Sequence, residues 1–204
     1  MTTSPAFQSQ AELKPLPFDP AKLNGLSERL IRSHWENNYG GSLKALANVK
    51  ARLAQAAGDK DLPPYVYNDL KREHLIRTGS VVLHELYFDN LGGSGQAGSS
   101  ERQSVAQAFG SFDAWETEFR RIGAGLGDGS GWVVLGFNQH TRQIENYWMA
   151  DHAHGPAATV PILVMDMYEH SYQMDYGAAA AKYIDAFFQN IQWEVVSARL
   201  AAAK

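Results

Sequence analysis

The stretch Gly92 to Ser100, reading GGSGQAGSS, divides this sequence into halves whose hydrophobic periods differ. Before it, apolar residues recur three and four apart over long runs, the mark of amphipathic helices. After it, short apolar runs are bounded by turn residues, as in strands. One chain carrying both periods implies an α+β fold: an N-terminal antiparallel helical hairpin, then a mixed part with a three-stranded antiparallel sheet and flanking helices. The expected domains are residues 1–95, an arm and the hairpin, and residues 96–204, the mixed domain.

The first 20 or so residues are polar and proline-punctuated and read as an extended arm ending in Leu16-Pro17-Phe18. A helix is expected from Ser27, an N-cap with Glu28 behind it. It carries Leu26, Leu30, Ile31 and His34, then Leu43, Leu46, Val49 and Leu53, with Gly40-Gly41 placed to kink or break it. Asp61 to Pro64 reads as a turn, and a second helix is expected over Asp69 to Asn90. Beyond the glycine-rich stretch, Glu101–Phe109 and Phe112–Gly123 read as helices, the second capped by Ser111 or Asp113. Gly131–Phe137 and Gln143–Ala150 read as strands around a turn at Asn138–Arg142. A third apolar run, Val160–Met165, leads into Asp166, and the tail from Ala178 reads as helix.

Net charge of −4 and a pI near 6.0 leave no basic footprint for nucleic acid or an anionic membrane. No apolar run reaches membrane-spanning length, and the opening residues lack a signal-like pattern, so the expected compartment is the cytoplasm. The sequence has no cysteine, which excludes thiolate metal sites and thiol nucleophiles. A metal would have to be held by nitrogen and oxygen.

Asp166 and His170, four apart where a strand meets a helix, can face a common point. His34 and His84 each interrupt an apolar helical face. A lone histidine in such a place is more often a satisfied core residue. Two of them on helices that pack together, beside an Asp–His pair, make convergence on a metal an equal reading. The spacing alone leaves both open.

Several segments, in order, resemble the iron/manganese superoxide dismutases over nearly the whole length. They are Leu16-Pro17-Phe18, Phe109-Gly110-Ser111-Phe112, Gly129-Ser130-Gly131-Trp132, Asp166-Met167-Tyr168-Glu169-His170-Ser171-Tyr172 and Ile191-Gln192-Trp193-Glu194-Val195-Val196. The fourth is similar to that family's Asp-x-Trp-Glu-His-Ala-Tyr signature. The resemblance implies one iron or manganese ion per subunit, held by His34, His84, Asp166 and His170. It implies redox dismutation of superoxide, a small-molecule substrate. It also implies a homodimer with Glu169 reaching the partner chain and Gln173 at the same interface; pairing of dimers into a tetramer stays open. Trp132 and Tyr168 would wall the metal pocket.

The departures lie at the entrance. Where the family has histidine and tyrosine four and eight residues after the first ligand, this chain has Asn38 and Ser42. A partner-chain tyrosine aligns with Gln173, so an amide pair of Asn38 and Gln173 would replace that contact. The usual arginines are replaced by Gly177 and Ala180, and a basic residue near the funnel by Asn37. For the residue that hydrogen-bonds the metal's solvent, Ser80 is too short. His152 is favoured, an ungapped match selects Asp151, and a solvent-facing loop histidine is the plain alternative for His152. The altered entrance raises a second reading: a non-dismutase mononuclear metalloenzyme acting on an organic substrate through a mouth widened at Ser42. Tyr39 or another aromatic closing that mouth would count against it.

Overall fold

The computed structural model describes residues 4–8 and 12–204. Residues 1–3 and 9–11 of the expected arm lie outside the described residues. Helix α1 (Glu28–Ser33) starts as expected: the Ser27 hydroxyl accepts the Leu30 amide at 3.1 Å. The chain then runs through a π-helical segment, His34–Tyr39, and straight into α2 (Gly40–Ala56). The expected irregularity at Gly40-Gly41 is therefore displaced. The glycine pair opens a regular helix, and the distortion falls on the six residues before it, which carry His34. Helix α3 (Pro64–Asp89) returns beside α2 and begins five residues earlier than expected. Pro64 sits in its first turn, where a missing amide proton costs nothing.

The glycine-rich stretch is a strap fastened to the C-terminal helices. Gly93 N–H donates to Asn190 O at 3.0 Å and Gly95 N–H to Ile191 O at 3.1 Å, while the Trp193 indole donates to Gly95 O at 3.2 Å. Gly95 has φ of +72°, and a β-carbon there would overlap the main chain of Phe188 and Gln189. Glycine is what permits this approach. The expected division near residue 95 falls within this strap. Helices α4 (Ser99–Phe109) and α5 (Phe112–Leu126) follow, the latter capped by the Ser111 hydroxyl on Ala114 N–H at 3.0 Å.

Strands β1 (Trp132–Asn138), β2 (Gln143–Met149) and β3 (Thr159–Asp166) form an antiparallel sheet in the order β2-β1-β3. In register, Trp132 lies opposite both Met149 and Asp166, so one end of the sheet gathers the residues that matter below. The ladder shifts between Leu135 and Gly136, where Ile162 has no opposite and Pro161 takes a place that needs no amide proton. The outer edge of β3 is covered. Asn90 Oδ1 accepts Val164 N–H at 2.9 Å, and an Arg199 guanidinium nitrogen donates to Ile162 O at 3.2 Å.

The short helix α6 (Gln173–Tyr176) follows a 3-10 turn at Glu169–Ser171. The expected single C-terminal helix is two, α7 (Ala180–Gln189) and α8 (Trp193–Ala203). The break at Asn190 has a polar cause. Its buried amide group donates to Asn24 O and Ala186 O at 2.7 Å each and accepts Asn24 N–H at 2.8 Å. One apolar core joins both halves, with Leu30, Ile31 and Tyr87 of the hairpin continuous with Trp132, Val164 and Phe187.

Candidate metal centre

Four side chains predicted as ligands converge, each from a different element or turn. His34 comes from the π-helical segment, His84 from the last turns of α3, Asp166 from the end of β3, and His170 from the turn after it. One ligand atom from each lies within 4.8 Å of every other. Asp166 Oδ2 is central: it lies 3.1 Å from His34 Nε2, 3.2 Å from His170 Nε2 and 3.7 Å from His84 Nε2. The His34, His84 and Asp166 side chains are buried, while that of His170 is 26% exposed.

These contacts do not satisfy the imidazoles. Among the described residues, both ring nitrogens of His34 and Nε2 of His84 are buried without a hydrogen-bond partner, the close approach of His34 to Asp166 lying off the direction a hydrogen bond needs. Native interiors rarely leave such groups orphaned, and each one asks for a cause. A cation supplies it, since unpaired imidazole nitrogens and one carboxylate suit a first-row metal. His84 is set for that role by its other nitrogen, which donates to Ser80 O at 2.7 Å and so leaves Nε2 with its lone pair directed at the cluster.

Electrostatics point the same way. Burial lowers the pKa of His34 against the pull of Asp166, and burial with the neighbouring His34 lowers that of His84 to about 3. Burial alone would raise the Asp166 pKa, but His170 and His34 outweigh it and hold the carboxyl well below its ordinary range. Around neutral pH the site therefore offers neutral His34 and His84 and an ionised carboxylate.

Trp132 and Tyr168, predicted to wall the pocket, lie against two of the four converging side chains. The Trp132 ring meets His84 edge-on with centroids 5.2 Å apart, and Tyr168 stacks on His170 at 5.3 Å. His152 stands with them, stacked on Tyr168 at 4.8 Å and 6.0 Å from the His84 ring. The Trp132 indole N–H donates to His152 Nδ1 at 3.0 Å, so neutral His152 carries its proton on Nε2. A β-carbon at Gly79 on α3 would overlap the His152 carbonyl, so glycine lets α3 and this loop close together.

The other candidates fall elsewhere. Asp151 turns into its own loop, accepting Ala153 N–H at 2.7 Å and the His154 ring at 2.8 Å. Ser80 is buried and hydrogen-bonded to Ser42 at 2.7 Å. Asn38 is half-buried and makes no side-chain hydrogen bond among the described residues; Gln173 and Glu169 are exposed.

Sequence reasoning missed the role of the π-helical segment. Within this segment Tyr39 goes inward with His34, while Asn38 is half-buried. His34 and Tyr39 are each 1% exposed. Tyr39 packs against the His84 ring with centroids 6.5 Å apart, and its hydroxyl turns away to Glu85 at 2.8 Å. Tyr183, also missed, donates to the Asp166 main-chain oxygen at 2.7 Å and steadies the strand end.

Residues 97–199 match the family model for the C-terminal domain of iron/manganese superoxide dismutases. The chain is similar to an iron superoxide dismutase of Cupriavidus metallidurans, 50% identical over 192 residues that span 94% of this chain and 97% of that protein. It is similar to an iron superoxide dismutase of Aquifex pyrophilus, 33% identical over 90% of this chain and 88% of that protein. A manganese superoxide dismutase of Haloarcula marismortui is 29% identical over 91% of each. With matching models, length and ligand geometry, the chain belongs to the iron/manganese superoxide dismutase family.

Proposed function

We propose that this protein is a superoxide dismutase, converting two superoxide ions and two protons to dioxygen and hydrogen peroxide. One iron or manganese ion would be held by His34, His84, Asp166 and His170. The observation that carries the reading is the buried convergence of three imidazoles and one carboxylate, with ring nitrogens left unpartnered, in a chain half identical to a named iron superoxide dismutase. When bound, the ion supplies one-electron exchange and Lewis acidity.

The chain's own residues do the rest. Asp166 brings a negative charge that offsets the cation, and Ser80 O fixes the His84 tautomer. The half-buried His152 accepts the Trp132 indole at Nδ1 and so keeps an N–H at Nε2, which makes it the favoured donor for protons and for ordering solvent. Trp132 and Tyr168 exclude bulk water around the ligands. Asn38, on the ligand-bearing π segment, is proposed as an entrance residue facing Gln173 of the partner subunit. We further propose a homodimer, with exposed Glu169 and Gln173 at its interface, and a cytoplasmic address on the sequence grounds given above.

The second reading, an organic substrate entering at a mouth widened at Ser42, finds no support. Ser42 is buried and closed against Ser80. Superoxide decay, normalised to bound metal, tests the proposal on protein loaded separately with iron and with manganese. Iron comes first, because the relative at 50% identity is named for it. Rapid decay with either metal is expected; full occupancy with no decay would overturn the assignment.

A further inference from the structure

Residue Lys14 of the N-terminal arm is held at three points by residues beside the ligands. Its Nζ lies 2.5 Å from Glu85 Oε2, its amide N–H donates to the Tyr39 hydroxyl at 3.3 Å, and its carbonyl accepts the Trp35 indole N–H at 2.8 Å. The Tyr39 hydroxyl donates to the other Glu85 oxygen at 2.8 Å. Trp35 follows His34, Glu85 follows His84, and Tyr39 closes the π-helical segment. The arm thus ties together the two helical stretches that present His34 and His84.

An exposed Lys–Glu pair alone carries little. This one differs because the carboxylate also accepts a buried phenol. Tyr39 is 1% exposed, and its hydroxyl donates to Glu85 at 2.8 Å. π segments strain a helix and persist where surrounding contacts hold them. The contacts that hold this one are with the arm, His84 and Phe88.

We propose that Lys14, Glu85 and Tyr39 are positioning residues: a clamp through which the N-terminal arm holds the π segment of His34 against the His84 turn of α3. The clamp sets ligand geometry from outside the ligand shell. It rests on the reading of His34 and His84 as ligands. His84→Ala, assayed alongside, separates the two ideas, because that variant loses iron only if the ligand reading holds.

The test is made on the full chain loaded with iron, comparing Lys14→Met, Tyr39→Phe and Lys14→Arg. Metal release to a chelator and the ferric electron paramagnetic resonance spectrum are the readouts. Lys14→Met and Tyr39→Phe should release iron roughly three- to tenfold faster, the scale of one lost hydrogen bond, and shift the spectrum. Lys14→Arg, which keeps the charge, should behave as the unaltered protein. Unchanged release and spectra in Lys14→Met and Tyr39→Phe would overturn the clamp, as would Lys14→Arg behaving like Lys14→Met. If Lys14→Met does not fold, Glu85→Gln carries the same test, since it removes the charge and leaves Tyr39 an acceptor.

Discussion

At His84 one side chain is governed by both of its nitrogens. Nδ1–H donates to Ser80 O, and the orphaned Nε2 meets Asp166 and the other imidazoles. Replacing a ligand should be decisive: His170→Ala is expected to lose most bound metal, read by elemental analysis of purified protein, and full occupancy would refute the ligand set. Trp132→Phe keeps the aromatic wall but frees His152 Nδ1. It should leave metal content intact while lowering the metal-normalised rate up to about tenfold, the scale of one hydrogen bond. The pH dependence also belongs to single residues. In the folded metal-free chain burial lowers His34 and His84, the latter to about 3, whereas unfolded histidines titrate near 6.5. Below roughly pH 6.5 the unfolded chain therefore binds more protons, and stability falls by up to about 1.4 kcal/mol per histidine per pH unit. Denaturant melts of metal-free protein from pH 7.5 to 5 should show this contribution complete at the upper end and declining with acid; a midpoint constant across that range would contradict it.

At the scale of elements, the site is made where ends meet: a distorted helix, the last turns of α3, and the end of β3 with the turn beyond it. A buried asparagine and a close-approach glycine keep these ends in place. Asn90, wholly buried at the end of α3, pairs with Val164 of β3 and accepts Gln192 N–H through its own carbonyl. Asn90→Ala is expected to cost about 2–4 kcal/mol, because it orphans buried partners rather than merely removing one bond. Gly79→Ala would drive a β-carbon into the His152 carbonyl, and the obstacle is main chain rather than a flexible side chain. A loss of about 1–3 kcal/mol is expected, with weakened activity from a displaced His152. Thermal melts check both, and Gly79→Ala melting with the unaltered protein would show that this contact yields freely.

For the whole molecule, the strap at Gly92–Gly98 and the Asn190 break fasten the C-terminal helices to the hairpin, so one core spans both halves. Metal bound only by the folded chain should raise the melting temperature, with a stabilisation of about 4 kcal/mol where free metal exceeds Kd a thousandfold. The proposed dimer belongs to this scale too. Glu169→Ala should weaken it, and sedimentation at falling concentration reads the change.

Much of this was legible in the sequence, and for physical reasons. Helix capping at Ser27 and Ser111, the turn at Asn138–Arg142 and the short apolar run of β1 bounded by turn residues depend on neighbours along the chain. The ligand types follow from a cysteine-free sequence with histidines on apolar faces, and the order of the motifs marked the family. What the sequence left open depended on distant neighbours. The π distortion at His34–Tyr39 is sustained by an arm 20 or more residues away, so the family offset that picked out Asn38 carried no sign that the fold turns Tyr39 inward. The placement of His152 beside the cluster, with Asp151 turned into its own loop and Ser80 closed against Ser42, came from an indole hydrogen bond across the sheet end and from Gly79 on α3. Sequence by itself determined the local elements and the chemistry available. Only the tertiary structure decided which side chains share a point in space, because burial, orphaned nitrogens and register are properties of residues brought together from afar.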